Sequence, residues 1–239
     1  MIKGGFRVLK NDFILGAPFH VHFEYSNISD RVISFAIGNS KADGYRFVSP
    51  SKGLKILNPY FEFGGFTEVV RLEPGENGSK DILLNRYIQF IELGKYQIRC
   101  EFDIEIGDEL LHPITRAEFR DTIYLHVYED RAQLSKLITA LEQDLRKGKP
   151  LAQLRAIEVL SELRIERVLP ILSYGLKSKD TAVVEMAIAG LGNLGGKDSV
   201  EILTEFMVAS RSQSLQQKAR QQLQNVGGRA KRVDAGGPQ

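Results

Sequence analysis

The sequence predicts a multidomain α and β protein: an N-terminal antiparallel β-sandwich followed by a short right-handed α-solenoid. Three observations predict it. Over residues 1–128 apolar and polar side chains alternate with a period of two, and Gly, Pro, Asn and Asp interrupt them at short intervals. That is the pattern of short, half-buried strands. From Glu129 the apolar period lengthens to that of a helix, in which i, i+4 and i+7 share a face. Within this second half Ala156-x3-Leu160-x2-Leu163 recurs as Ala187-x3-Leu191-x2-Leu194 and as Ala219-x3-Leu223-x2-Val226, at spacings of 31 and 32 residues. Repetition at this period reads as stacked helical hairpins, because one hairpin cannot bury its own apolar face. The divisions are 1–128 for the sandwich, 129–227 for the helical repeats and 228–239 for a small, polar, disordered tail.

In the N-terminal half, Phe6–Leu9 is a first strand turned by Lys10-Asn11-Asp12. Phe19, Val21, Phe23 and Tyr25 share one face of the next, with His20, His22 and Glu24 on the other. Asn27-Ile28-Ser29-Asp30 is turn chemistry. Arg31–Ile37 and Tyr45–Val48 follow, and Pro50-Ser51-Lys52-Gly53 breaks the second of them. Phe66–Leu72 and Asp81–Tyr87 flank the turn Glu73–Gly78. Tyr96–Ile106 has the clearest alternation, with Tyr96, Ile98, Cys100, Phe102, Ile104 and Ile106 inward. Residues 107–118 read as a polar loop and Phe119–Val127 as the last of about eight strands.

In the C-terminal half, Leu134, Leu137, Ile138, Leu141 and Leu145 form the stripe of a first helix, with Asp130 as N-cap and Gly148 as stop. Pro150 opens the helix that carries the first recurrence, and Ile165–Leu176 is its partner. Asp180 or Thr181 caps the next helix, which Gly195-Gly196 stops. Ser199–Val208 and Leu215–Val226 complete the set.

Particular stretches carry a resemblance. Gly94-Lys95-Tyr96, a glycine turn with Tyr at the start of a strand, resembles the tyrosine corner of immunoglobulin-like sandwiches, although Cys100 has no disulfide partner and the chain has no Trp. The recurrences over residues 150–227 resemble HEAT repeats of the phycobilin-lyase type. Such repeats often carry Asp and then Val-Arg ahead of the Ala. Asp180 and Val183 fit, but the Arg position is Val184, and Gln153 and Gln216 in the other repeats, so no charge ladder is expected along the stack. With Arg71-Leu72-Glu73-Pro74-Gly75-Glu76 and Leu83-Leu84-Asn85-Arg86-Tyr87, the whole layout resembles uncharacterised bacterial proteins in which an immunoglobulin-like domain precedes HEAT-like repeats. That resemblance implies an architecture and no activity.

Composition narrows the function. The formal net charge is +2, split as −2 over 1–128 and +4 over 129–239, so no general attraction to nucleic acid or anionic membrane is expected. No apolar run approaches the ~20 residues of a membrane helix. The amino terminus has no apolar signal-peptide core. The chain as written is expected in the cytoplasm; a leader removed upstream of Met1 would make it periplasmic or secreted.

Chemistry is sparse. His20 and His22 share a strand face, but a metal needs further ligands, for which His126 or Glu24 are the candidates; His112 has no evident partner. Glu101, Asp103 and Glu105 read as a solvated strand face. Cys100 reads as a buried, inert thiol. No phosphate loop, dinucleotide fingerprint or nucleophile elbow is present. No catalytic residue, metal or cofactor is therefore expected. Two interaction candidates remain. Tyr60, Phe61, Phe63 and Phe66 crowd one aromatic loop beside Gly64-Gly65. Glu158 and Glu162, with Asn193 and Asn225 at equivalent positions, form a polar ladder facing away from the helical seam.

The expectation is a non-enzymatic protein–protein interaction or scaffold module with a composite sandwich and helical-repeat surface, binding a protein and not nucleic acid. A bilin-lyase-like or other ligand-handling protein, and an exported inhibitor or adhesion module, are the alternatives.

Overall fold

The computed structural model describes residues 1–37, 44–57, 68–108 and 112–234, with side chains described through Gly227. The chain forms two compact units, Met1–Asp130 and the residues from Arg131 onward.

The first unit contains eleven strands among the described residues: β1 (Ile2–Arg7), β2 (Asp12–Ile14), β3 (His20–Asn27), β4 (Ile33–Ile37), β5 (Tyr45–Val48), β6 (Leu54–Ile56), β7 (Glu68–Leu72), β8 (Asn77–Leu83), β9 (Ile88–Phe90), β10 (Gly94–Gly107) and β11 (Pro113–Tyr128). They make a three-stranded sheet in the order β1-β3-β8, a six-stranded sheet along β2-β11-β10-β4-β7 with β5 also on β10, and the pair β6-β9. The alternating strands bury the faces their sequences assign. Phe19, Val21, Phe23 and Tyr25 are inside, as are all six inward residues of β10. Both larger sheets feed one core: Phe23 of β3 lies 4.9 Å from Phe102 of β10 and 5.1 Å from Phe119 of β11, ring centre to ring centre.

Three differences from the sequence reading have physical causes. The strands are not all antiparallel, since β2 runs parallel to the end of β11, His126 opposite Asp12. The strand β11 begins at Pro113, inside the expected loop 107–118, because backbone pairing with β10 continues through Ala117 and Thr115. Residues 113–116 are exposed, so that part of the strand has no buried face to alternate. The three-residue strands β2, β6 and β9 are too short to show a period.

The three motifs behind the resemblance turn out to lock the backbone. Asn27, fully buried, donates from Nδ2 to Arg31 O (2.8 Å) and Leu72 O (3.1 Å) and accepts from Ser29 N. Its backbone accepts from Gly75 N and donates to Glu76 O, so one side chain and its peptide tie β3 to the end of β7 and to the Glu73–Glu76 turn. Asn85 does the same for the approach to β3, accepting from Phe19 N (2.7 Å) and donating to Ala17 O (3.0 Å). The Tyr96 hydroxyl shares its proton between Glu92 O (2.7 Å) and Gly53 O (3.0 Å), a tyrosine side chain reaching back to the backbone just upstream.

The second unit contains α1 (Arg131–Lys147), α2 (Pro150–Glu162), α3 (Leu169–Gly175), α4 (Thr181–Leu194), α5 (Gly196–Ala209) and α6 (Gln213–Asp234). The helices α2, α4 and α6 lie side by side, with α4 between the other two, while α1 packs on α2, α3 on α4 and α5 on α6. The recurring positions are the seam: Ala156, Leu160, Ala187, Leu191 and Ala219 are all buried. Asp180 caps α4, its Oδ1 accepting from Ala182 N at 2.9 Å. Gly195 and Gly196 have φ of 67° and 79°, a left-handed turn that a side chain would oppose. The expected helix 165–176 is shorter. Pro170 has no N–H and its ring crowds the carbonyl four residues back, so residues 166–168 make a 3-10 turn and the α-helix starts at Leu169. In the other direction, α6 runs eight residues past Val226, to Asp234, where the sequence reading places a disordered tail. Gly227-Gly228 costs a helix about 1 kcal/mol per residue, yet Ala230, Lys231 and Arg232 beyond it are good helix formers and no Pro comes before Pro238.

Candidate functional site

The polar ladder is partly consumed in holding the stack together. The Glu162 carboxylate at the end of α2 accepts from Arg164 Nη2 (3.3 Å) and lies 3.4 Å from Asn193 Nδ2 of α4. Asn193 Nδ2 also donates to Ser161 O at 3.3 Å. The Glu162 and Arg164 side chains are only 14% and 12% exposed. Arg164 is the one non-glycine residue with positive φ among those described, at 48°. Gly195 occupies the equivalent place one repeat later. The Arg164 guanidinium, held between Glu162 O and the Glu162 carboxylate, offsets a conformation that glycine adopts without strain. Glu158 and Asn225 are half-buried. The Asn225 amide nitrogen is enclosed without a partner among the described residues. Tyr60, Phe61, Phe63 and Phe66 lie outside the described residues.

The residues weighed for chemistry are dispersed or neutralised. His22 Nδ1 pairs with Asp81 across β3 and β8, and Glu24 pairs with Arg7. His126 Nδ1 lies 2.9 Å from Asp12 and His112 Nδ1 3.2 Å from Asp108. Among the described residues no group of three or more His, Cys, Asp or Glu side chains is placed to hold a metal. The acids of β10 meet cations: Arg46 reaches Glu101 at 3.2 Å and Asp103 at 2.8 Å, and Arg99 reaches Glu101 at 2.8 Å. Cys100 is fully buried. Burial first, and the Asp121 carboxylate second, push its thiol well above the ordinary value of 9.0, so no thiolate is available near neutrality.

One further surface remains, of whose residues only Gln216 is singled out above. Gln213, Gln216, Gln217, Arg220, Gln221 and Gln224 line a groove along α6. Its signal in the sequence is the run of glutamines that recurs at three- and four-residue steps, hence on one helical face. An amide face shows no hydrophobic contrast, so periodicity of apolar residues passes over it.

The family comparison falls within the second unit. Residues 135–224 match the family model for HEAT repeats. The match begins inside α1 and ends inside α6. HEAT repeats generally mediate protein–protein contacts and are typically not enzymes. No curated protein matches the sequence. Among solved structures, a β-glucosidase from Listeria innocua aligns at 15% identity over 54% of this chain and 16% of its own, with a TM-score of 0.27. AggA, the major subunit of aggregative adherence fimbriae type I from Escherichia coli, aligns at 10% identity over 54% of this chain and 95% of its own, with a TM-score of 0.28. The alpha-2-macroglobulin of E. coli aligns at 10% identity over 92% of this chain and 16% of its own, with a TM-score of 0.31. This chain thus spans a sixth or less of the glucosidase and the macroglobulin, and likenesses this distant bear on neither fold nor activity. Among the described residues no helix is long and apolar enough to cross a membrane.

Proposed function

We propose that the chain is a non-enzymatic interaction or scaffold module, an immunoglobulin-like sandwich followed by a right-handed HEAT-like solenoid, whose ligand is another protein. The observation that carries this reading is the HEAT-repeat match over 135–224 on helices whose apolar seams close against each other. What such a stack leaves for a ligand is its polar helix faces, and repeat stacks use their extended surfaces for recognition. The sandwich part of the proposal draws on the shared core of the two larger sheets and on the Tyr96 hydroxyl reaching back to Glu92 O. In such a sandwich Tyr96 would serve as the tyrosine corner.

The test is affinity capture with the tagged full chain from an extract of its source organism, quantified against a variant in which Leu191→Asp opens the seam. A protein captured reproducibly by the native chain, and lost with the variant, is the expected result. Repeated capture of nothing above background sinks the reading. So does turnover of a small molecule by the purified chain.

A further inference from the structure

We propose that the outer face of α6 binds an extended acidic peptide, with the peptide main chain against the glutamine amides and a peptide carboxylate against Arg220. This rests on reading the chain as an interaction module and names the class of partner. The groove along this face is lined by five glutamines and one arginine and by no apolar residue, so a further helix has nothing there to bury. Gln216 Nε2 donates to Ser210 O at 2.7 Å. Among the described residues, no hydrogen bond engages the amides of Gln213, Gln217, Gln221 or Gln224 and no carboxylate pairs with Arg220.

The spacing suits an extended chain. Side chains four residues apart on a helix are offset by about 6 Å, and alternate residues of an extended strand by about 6.6 Å. From Gln213 to Gln224 the face is about 16 Å long, the length of about five extended residues. Each amide offers both a donor and an acceptor, which is what a peptide main chain presents.

Charge selects the acidic peptide. Between Glu205 and Asp234 the chain has six bases, Arg211, Lys218, Arg220, Arg229, Lys231 and Arg232, and no acid. Only Lys218 among those with described side chains is taken up in an ion pair, with Glu185 at 2.6 Å. The whole chain carries only +2, so positive charge is concentrated in this stretch of sequence and the remainder is net acidic. The same surface fits nucleic acid poorly. The phosphate backbone only accepts hydrogen bonds and would leave the glutamine carbonyls unpartnered, and the groove has no aromatic side chain for base stacking.

The experiment is fluorescence anisotropy of the full chain with a labelled decapeptide of alternating glutamate and threonine. A lysine–threonine decapeptide and a thymidine decanucleotide serve as competing probes. The expected result is saturable binding of the acidic peptide and none of the basic one. Binding should weaken about tenfold or more for Arg220→Glu, the loss expected for a charge-assisted contact, and several-fold for the pair Gln217→Ala and Gln221→Ala. All these positions are on the surface of α6, and unchanged circular dichroism shows that the variants fold. Acidic-peptide binding that ignores these substitutions overturns the proposal. So does tighter binding of the decanucleotide, or self-association of the chain that Arg220→Glu abolishes. The two levels separate cleanly. A protein partner captured equally well by the native chain and the Arg220→Glu variant removes this site and leaves the interaction module standing; absence of any protein partner removes both.

Discussion

Gly192 of α4 faces the side chain of Gln222 on α6: a Cβ built on Gly192 would lie 3.0 Å from Gln222 Cβ. One interface earlier in the stack the sizes are exchanged. There Gly190 of α4 faces Ser161 of α2, and a Cβ on Gly190 would lie 2.8 Å from Ser161 Cα. Ser161 and Gly192 are equivalent at the 31-residue spacing, as are Gly190 and Gln222 at the 32-residue spacing. Each interface therefore keeps one glycine, both of them on α4 at non-equivalent positions, and that sets how closely the helices approach.

The two glycines should respond differently to Ala. In Gly192→Ala the new methyl meets the flexible Gln222 side chain, so the loss is about 1 kcal/mol, and the double variant with Gln222→Ala should recover most of it. In Gly190→Ala the methyl meets the backbone of Ser161, which no side-chain truncation relieves. There the overpacking cost of about 1–3 kcal/mol should exceed the helix-propensity gain of about 1 kcal/mol. Urea denaturation of these three variants and of Gln222→Ala alone checks both. A Gly192–Gln222 coupling near zero would show that the two residues do not compete for space.

Arg164 separates backbone strain from charge pairing. Arg164→Ala loses the Glu162 contacts and keeps the positive φ, whereas Arg164→Gly loses the same contacts and relaxes the backbone. The glycine variant should be more stable than the alanine variant by about 1 kcal/mol, measured by chemical denaturation. Equal stabilities would mean that residue 164 does not hold this conformation in solution.

Asn27 is expected to be the most sensitive polar residue of the first unit. Asn27→Ala leaves Arg31 O, Leu72 O and Ser29 N without their partner, the Leu72 bond buried and the other two partly buried. The cost of buried groups left unsatisfied, about 1–3 kcal/mol each, predicts a loss of at least about 2 kcal/mol. Thermal melting with a near-ultraviolet probe reads it. Ser29→Ala, which removes a half-exposed hydroxyl from the same network, should cost less.

Cys100 should be silent toward thiol reagents in the native chain and react at once when the chain is unfolded. Its raised value also gives stability a pH dependence. The folded chain holds the thiol proton above the pH at which the unfolded chain releases it. The contribution is complete below the ordinary value of 9.0 and is lost as the pH rises beyond it, by up to about 1.4 kcal/mol per pH unit. Cys100→Ala should lack that slope. Denaturation midpoints of both proteins from neutral pH into the alkaline range decide the matter, and parallel curves would mean that the thiol is not protected.

The sequence by itself determined the elements that repeat a pattern often enough to be seen. Six alternating residues place one face of β10 in the core, because a strand with one buried face cannot slip by a residue without exposing it. Ala156, Ala187 and Ala219 mark the seam because only small residues let helices approach there. The glycine pair 195–196 ends α4 because both residues take positive φ. Gly94 marks the start of β10 two residues before Tyr96, whose hydroxyl reaches back to Glu92 O.

The tertiary structure alone decided what depends on residues distant in the chain. The parallel pairing of β2 with β11, the bonds that Asn27 sends to Leu72, and the continuation of β11 back to Pro113 are backbone pairings that leave no trace in local hydrophobicity. The fate of Glu162 and Asn193 was equally hidden. A polar residue facing away from a seam reads as solvated until the next helix and Arg164 are seen to close over it. The amide face of α6 went unseen for the opposite reason, since a uniformly polar stripe has no apolar partner stripe to mark its phase. Periodicity reports burial; it does not report which polar groups find one another.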